Sequence, residues 1–270
     1  MENLRIGAVS YLNTKPLVLG MSDRLPNAEL CFDLPSRLAD RLQAGELDVA
    51  LIPSVEYLRH ADDYQIVSNA CIACRGPVWS VRLLSRVPVP EIKSLALDEG
   101  SRTSAALTQI LLKEQYGLRP ELLPLPMTVR PDDAVADAIL LIGDRAMHPS
   151  TGLYQEIWDL GDRWCRWSEL PFVFAMWVGR RDADLNALAD PLEACRDDGL
   201  LHLEELAQQH AGIHGLTVAD CYAYLSRYLH FTLGEAERKG LDLFMTKATQ
   251  LGLLPPSSAS QLANQFDTTP

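Results

Sequence analysis

Hydrophobic positions fall into short blocks whose periodicity alternates along the first sixty residues. Arg5 to Ser10 is a compact apolar run of strand character, and Asn13-Thr14-Lys15-Pro16 then reads as a helix start. Thr14 is expected to cap that helix, and Pro16 fits its first turn, where a missing N–H costs little. Glu29 to Leu34 predicts a second strand, and Pro35-Ser36 opens a helix whose apolar side runs through Leu38, Leu42 and Leu47, with Gly45 near its end. Asp48 to Pro53 is an apolar strand, followed by the helical stretch Ser54 to Leu58. This strand–helix–strand–helix–strand order predicts an α/β unit built on a parallel sheet.

The rhythm then changes. Cys71 to Arg75 and Val78 to Ser85 are adjacent strand-like runs around Gly76-Pro77, which predicts antiparallel or crossing strands. A Pro-rich connector, Val87-Pro88-Val89-Pro90, precedes a second α/β unit: strand at Leu95 to Leu97, helix at Ser101 to Tyr116, strand at Glu121 to Leu125. Further strands are expected at Ala138 to Ile142 and Phe172 to Val178. Amphipathic helical spacing marks Leu201 to His210, Val218 to Phe231 and Gly234 to Leu251, and 255–270 reads as a frayed tail. No internal repeat of fixed period is visible. Two α/β units predict two lobes: a first lobe from 1–86 plus 171–270, and an inserted second lobe at 87–170. Such lobes bind small molecules in the cleft between them, at strand ends where helix N-termini point inward.

Composition narrows the partners. In 270 residues, 24 Lys and Arg stand against 36 Asp and Glu, a net charge of −12, which repels nucleic acid and anionic membrane surfaces. The apolar runs are far shorter than the roughly 20 residues of a spanning helix. The N-terminus, Met1 to Gly7, lacks a basic stretch followed by a long apolar one, so a cytoplasmic protein is expected. Six cysteines are scattered, and Cys71-x-x-Cys74 has no second pair and sits in a strand-like run, so buried reduced thiols are expected rather than a metal site.

Candidate chemistry concentrates in loops that follow strands. Asp98-Glu99-Gly100-Ser101-Arg102-Thr103-Ser104 opens an amphipathic helix with hydroxyl residues in its first turn. Either Ser101 merely caps the helix, or the free N–H groups there receive a carboxylate or phosphate. Ser10 to Thr14 is the corresponding loop of the first unit, and Asn13 in it offers both a donor and an acceptor. Ile52-Pro53-Ser54 and Leu141-Ile142-Gly143-Asp144 are further loops of this kind. Asp144 is expected either to orient a ligand hydroxyl or to pair with Arg145 or Arg102. The six histidines show no metal-binding spacing, and the G-x-S-x-G elbow of a serine hydrolase is absent. Trp158, Trp164, Trp167 and the group Tyr222, Tyr224 and Tyr228 read as packing residues.

These same loops carry a resemblance. Val9 to Leu17, Asp48 to Ser54, Gly76 to Val81, Leu97 to Ser104, Leu141 to Ala146, Leu170 to Trp177 and Leu233-Gly234-Glu235 resemble, in this order, the chorismate dehydratase family of menaquinone biosynthesis by the futalosine route. The resemblance implies a two-lobed α/β fold of the periplasmic-binding-protein type II kind, with the ligand between the lobes. It implies loss of water from chorismate, giving 3-[(1-carboxyvinyl)oxy]benzoate, without metal or cofactor. It also implies that Asn13 and Ser80 act at the reacting centre. Ser101, Arg102, Thr103 and Ser104 would hold a carboxylate, Ser10 and Ser54 would line the first lobe, and Asp144 the second. Two alternatives share the fold: a cytosolic small-carboxylate-binding protein or sensor without catalysis, and the sister enzyme that makes dihydroxynaphthoate. The absence of a His in Leu141 to Asp144 speaks against the sister enzyme.

Overall fold

The computed structural model describes residues 4–148 and 152–256, so the expected tail lies outside the described residues from 257 onward. Two strands bury every residue, β3 (Val49–Pro53) and β8 (Ala138–Ile142), and each lies inside its own sheet. Continuous apolar runs form such strands because both of their faces are covered.

The first sheet grows outward from β1 (Leu4–Val9), which lies parallel between β2 (Ala28–Asp33) and β3. The short helices α1 (Lys15–Val18) and α2 (Met21–Arg24) connect β1 to β2, and α3 (Pro35–Gln43) connects β2 to β3. After α4 (Ser54–Arg59) comes β4 (Tyr64–Cys74). Antiparallel strands complete the sheet: β10 (Phe172–Arg180) between β3 and β4, and β11 (His230–Thr232) beyond β4. Its order is β11-β4-β10-β3-β1-β2.

The second sheet uses β5 (Val81–Ser85), β6 (Ser94–Asp98), β7 (Glu121–Leu125), β8 and β9 (Glu156–Asp159), in the order β7-β6-β8-β5-β9. Helix α5 (Thr103–Tyr116) joins β6 to β7, and α6 (Leu160–Ser168) leads back toward β10. Both sheets therefore contain one arrangement. Three parallel strands, the earliest in the middle, are followed by an antiparallel strand: β2-β1-β3-β10 and β7-β6-β8-β5. In such sheets the crevice opens beyond the carboxyl end of the first parallel strand, where connections diverge to opposite sides. That rule selects the loops after β1 and β6.

The C-terminal helices are α7 (Ala189–Leu201), α8 (Leu203–His210), α9 (Val218–Ala223) and α10 (Glu235–Gln250). Helix α7 packs on α1 and β4. Gly199 permits the first contact, since a Cβ there would lie 2.0 Å from the Pro16 carbonyl oxygen. Trp164, Phe172 and Phe244 join α6, β10 and α10, with Phe172 centred 5.1 Å from each of the other two rings in edge-on geometry.

Several sequence expectations need correction. The strand expected over 71–75 is only the end, 71–74, of an eleven-residue strand, because the preceding mixed segment is held by β10. Val81–Ser85 pairs with β8 and β9, so the chain passes between sheets at 75–80, ahead of the Pro-rich connector. The helix expected over 218–231 ends in a π-helical turn at Tyr224–Tyr228, and Phe231 belongs to β11. Strand β9 and helix α6 were not visible in the pattern. Thr14 makes no capping bond to α1; its hydroxyl lies 3.4 Å from the Asn13 side-chain oxygen. Cys71 and Cys74 are fully buried within β4.

Candidate active site

A cavity of about 510 Å3, counting its open mouth, lies between the two sheets. This is within the range of small-molecule clefts, roughly 300–1,000 Å3. Val9, Pro53, Ile72, Phe174 and Ala175 line it from the first sheet, and Val81 and Ile142 from the second. The polar lining comes from three chain segments: Tyr11 and Asn13 after β1, Ser80 before β5, and Gly100 to Ser104 at the start of α5.

The chain leaves β1 at Ser10 and turns through a short 3-10 segment, Leu12–Thr14. Val9, Tyr11 and Asn13 reach the cavity, whereas Ser10 is exposed outside the lining, its N–H bound to the Asp33 carbonyl at 3.0 Å. Tyr11 packs its ring against Gly143, whose φ is +60°. Its hydroxyl is buried without a hydrogen-bond partner, and so is the Ser101 hydroxyl. Ser101 therefore does not cap α5. Two unpaired buried hydroxyls in one wall carry a desolvation cost that a bound polar ligand would relieve. Burial, then the negative charges of Asp98 and Asp144, push the Tyr11 hydroxyl well above its usual range, so it serves as a neutral donor.

Helix α5 begins at the cavity, and its first N–H groups have no partner within the helix. Arg102 contributes little free charge there. Its guanidinium binds both Asp40 carboxylate oxygens, at 2.7 and 2.8 Å, and lies 3.3 Å from Glu56. Thr103 links the lobes beneath the wall, its hydroxyl 3.3 Å from that of Ser54 and accepting the Val55 N–H at 3.2 Å. Ser54 is itself committed, donating to the Val173 carbonyl at 2.8 Å, and lies outside the lining.

Ser80 sits at a tight turn. Its N–H bonds the Val78 carbonyl at 2.7 Å, around Trp79 at a φ of +64°. A left-handed Trp is strained and persists only where its surroundings over-determine it. Asp159 does so: one carboxylate accepts from the N–H groups of Val78, Trp79 (2.6 Å) and Asp162, the last as the cap of α6. The Trp79 ring packs edge-on against Tyr224, centroids 5.8 Å apart. Tyr224 donates its hydroxyl proton to Ser80 Oγ at 2.9 Å. Burial is the main reason that hydroxyl lies well above its usual range.

Of the residues singled out in the sequence, the cavity thus unites Asn13, Ser80, Ser101, Arg102, Thr103 and Ser104, and leaves Ser10, Ser54 and Asp144 outside its lining. Asp144 pairs with neither expected arginine. It accepts from His214 Nδ1 at 2.9 Å and faces the Leu12 N–H at 3.5 Å, while Arg145 pairs with Asp98. Sequence reasoning missed Tyr11, whose place in the cavity no residue pattern marks. It also took Tyr224 for packing, and no local signal connects that residue to Ser80, 144 positions away.

Comparison with known structures and sequences agrees with this architecture. The crystal structure of a protein from Archaeoglobus fulgidus superposes with a TM-score of 0.73 at 18% identity, over 93% of this chain and 98% of that one. The periplasmic aliphatic sulphonate binding protein of Escherichia coli does so at 0.62 and 16% identity, over 97% of this chain and 91% of its own. The fold is thus the two-lobed periplasmic-binding-protein type. The menaquinone biosynthesis family model matches residues 4–250, and the chain belongs to that family. A chorismate dehydratase from Thermus thermophilus is 32% identical over 273 residues, covering 92% of this chain and 95% of that protein.

Proposed function

We propose that this protein is a chorismate dehydratase, a hydro-lyase that converts chorismate to 3-[(1-carboxyvinyl)oxy]benzoate in menaquinone biosynthesis. The observation that carries the reading is the cavity itself: an apolar slot whose polar lining is hydroxyls, one amide and the N-terminal turn of α5, in a chain one-third identical to a protein named for this reaction. The six-stranded sheet with the C-terminal helices forms one lobe in this reading, and the five-stranded sheet the inserted lobe. The six unpaired cysteines suit a reducing, cytoplasmic setting.

The chemistry asks little of the protein beyond position and polarity. Removing the C3 proton develops charge that the ring diene carries onto the conjugated carboxylate. Departure of the C4 hydroxyl then makes the ring aromatic, which drives the reaction. The first turn of α5, with Ser101 and Tyr11, binds the ring carboxylate and stabilises that developing charge. Asn13 and Ser80 donate hydrogen bonds to the departing hydroxyl. The described lining residues include no His, Asp, Glu or Lys, and its one arginine is already paired. This supports the substrate's own enolpyruvyl carboxylate as the base: it takes the C3 proton and passes it to the leaving hydroxide, releasing water.

Asn13→Ala and Ser80→Ala test the assignment. Loss of one donor to developing charge costs about 10²–10³ in kcat. Each variant is expected to lose that much turnover with a melting temperature close to wild type. Near-normal turnover in both would refute the assignment of these residues.

A further inference from the structure

We propose that Tyr224 is a positioning residue that fixes Ser80 as a proton donor facing the substrate hydroxyl. The proposal rests on the dehydratase reading above. Its physical basis is the direction of one hydrogen bond. A phenol has a single proton, and Tyr224 gives it to Ser80 Oγ at 2.9 Å. That bond fixes the direction in which the Ser80 hydroxyl can give its own proton.

One consequence follows for the cavity. Ser80 Oγ, with an acceptor site occupied by Tyr224, has its own proton to give. Among the described residues the one bond it donates is to the Val78 carbonyl at 3.4 Å, too long to hold the proton firmly. That proton is therefore available to a hydroxyl in the cavity, and the bond from Tyr224 makes it a better donor. Ser80 thereby meets the leaving hydroxyl as a donor, the polarity that departure of an anion needs.

Tyr224 does not reach the substrate, because it is buried behind Ser80 and outside the cavity lining. Nor does it supply the proton, since a tyrosinate at that buried position is disfavoured. It comes from the π-helical turn Tyr224–Tyr228, a conformation uncommon in ordinary helices and frequent at functional sites. Trp79, held edge-on to its ring, sets its lateral position.

The test is Tyr224→Phe in the full-length protein, with kcat and KM for chorismate measured by product chromatography. Misorienting groups that act in the transition state is expected to lower kcat about tenfold to a hundredfold, with KM within about threefold of wild type. In Ser80→Ala, adding Tyr224→Phe is expected to cost much less than it does alone, because the group it positions is gone. Unchanged kcat in the single variant, equal rises in KM and falls in kcat/KM, or full additivity in the double variant would overturn the proposal. If Tyr224→Phe fails to fold, 3-fluorotyrosine at 224 keeps the bond and strengthens the donor. It should then raise kcat at constant KM, and an unchanged kcat would overturn the proposal. A wild-type protein that does not turn over chorismate removes the dehydratase reading and this proposal with it.

Discussion

Gly143→Ala probes the contact by which the second sheet supports the Tyr11 wall of the cavity. Gly143 has a φ of +60°, where an alanine is disfavoured by roughly 1–2 kcal/mol. An added Cβ would also stand 2.8–2.9 Å from three atoms of the Tyr11 ring. Carbon atoms prefer about 3.5–4.0 Å, so the ring must retreat by the best part of an ångström. Overpacking of that kind costs typically 1–3 kcal/mol, giving about 2–5 kcal/mol in all. For a chain of this size, that corresponds to a fall in melting temperature of about 4–20 °C. Because the ring carries the unpaired hydroxyl, chorismate turnover should fall as well, chiefly through weaker carboxylate binding and a higher KM. Thermal unfolding followed by circular dichroism, together with steady-state kinetics, reads both effects. Gly212→Ala is the control, since no atom lies within 4 Å of its added Cβ and its φ is not positive. A Gly143→Ala protein with wild-type melting temperature and KM would refute the packing argument and the role given to Tyr11.

Two further expectations concern the scaffold. Asp159→Ala removes the cap of α6 and the acceptor for the Val78 and Trp79 N–H groups, so it should cost about 2–4 kcal/mol and reduce turnover as the turn presenting Ser80 relaxes. Wild-type melting and kcat in that variant would contradict the view that Asp159 holds the strained turn. Asp48 has its pKa lowered, chiefly by the Arg5 side-chain hydrogen bond. A carboxylate whose folded pKa is depressed contributes stability that is complete above its unfolded pKa, about 3.9, and is lost as pH falls through the lower folded value. The difference in unfolding free energy between wild type and Asp48→Asn should therefore shrink below about pH 4, and a difference independent of pH would contradict the pairing.

The fold was most legible where one physical effect dominates. The continuous apolar runs at 49–53 and 138–142 could only be buried strands, and both are. Alternation and helix-start residues were enough to find β1, β2, α3 and α5. What escaped was decided by distant chain. Residues 64–70 join a long strand because β10 pairs with them, and 230–232 leave a helical pattern to pair with β4. The site followed the same rule. The segments that line the cavity were found because strand-to-helix loops concentrate free N–H groups and hydroxyls. The roles of individual side chains within them were not, since Arg102 is claimed by Asp40 and Glu56, Ser54 by Val173, and Asp144 by His214. Those partners lie between 46 and 119 positions away in sequence and leave no local trace.

The central claim is that a cavity lined by uncharged donors and one helix N-terminus dehydrates chorismate unaided. Its most direct test is incubation of purified, metal-stripped protein with chorismate, followed by chromatography for 3-[(1-carboxyvinyl)oxy]benzoate. The account predicts many turnovers per protein molecule with nothing added. Chorismate bound but unchanged would contradict it in favour of a binding protein, and chorismate neither bound nor converted would remove the ligand assignment as well.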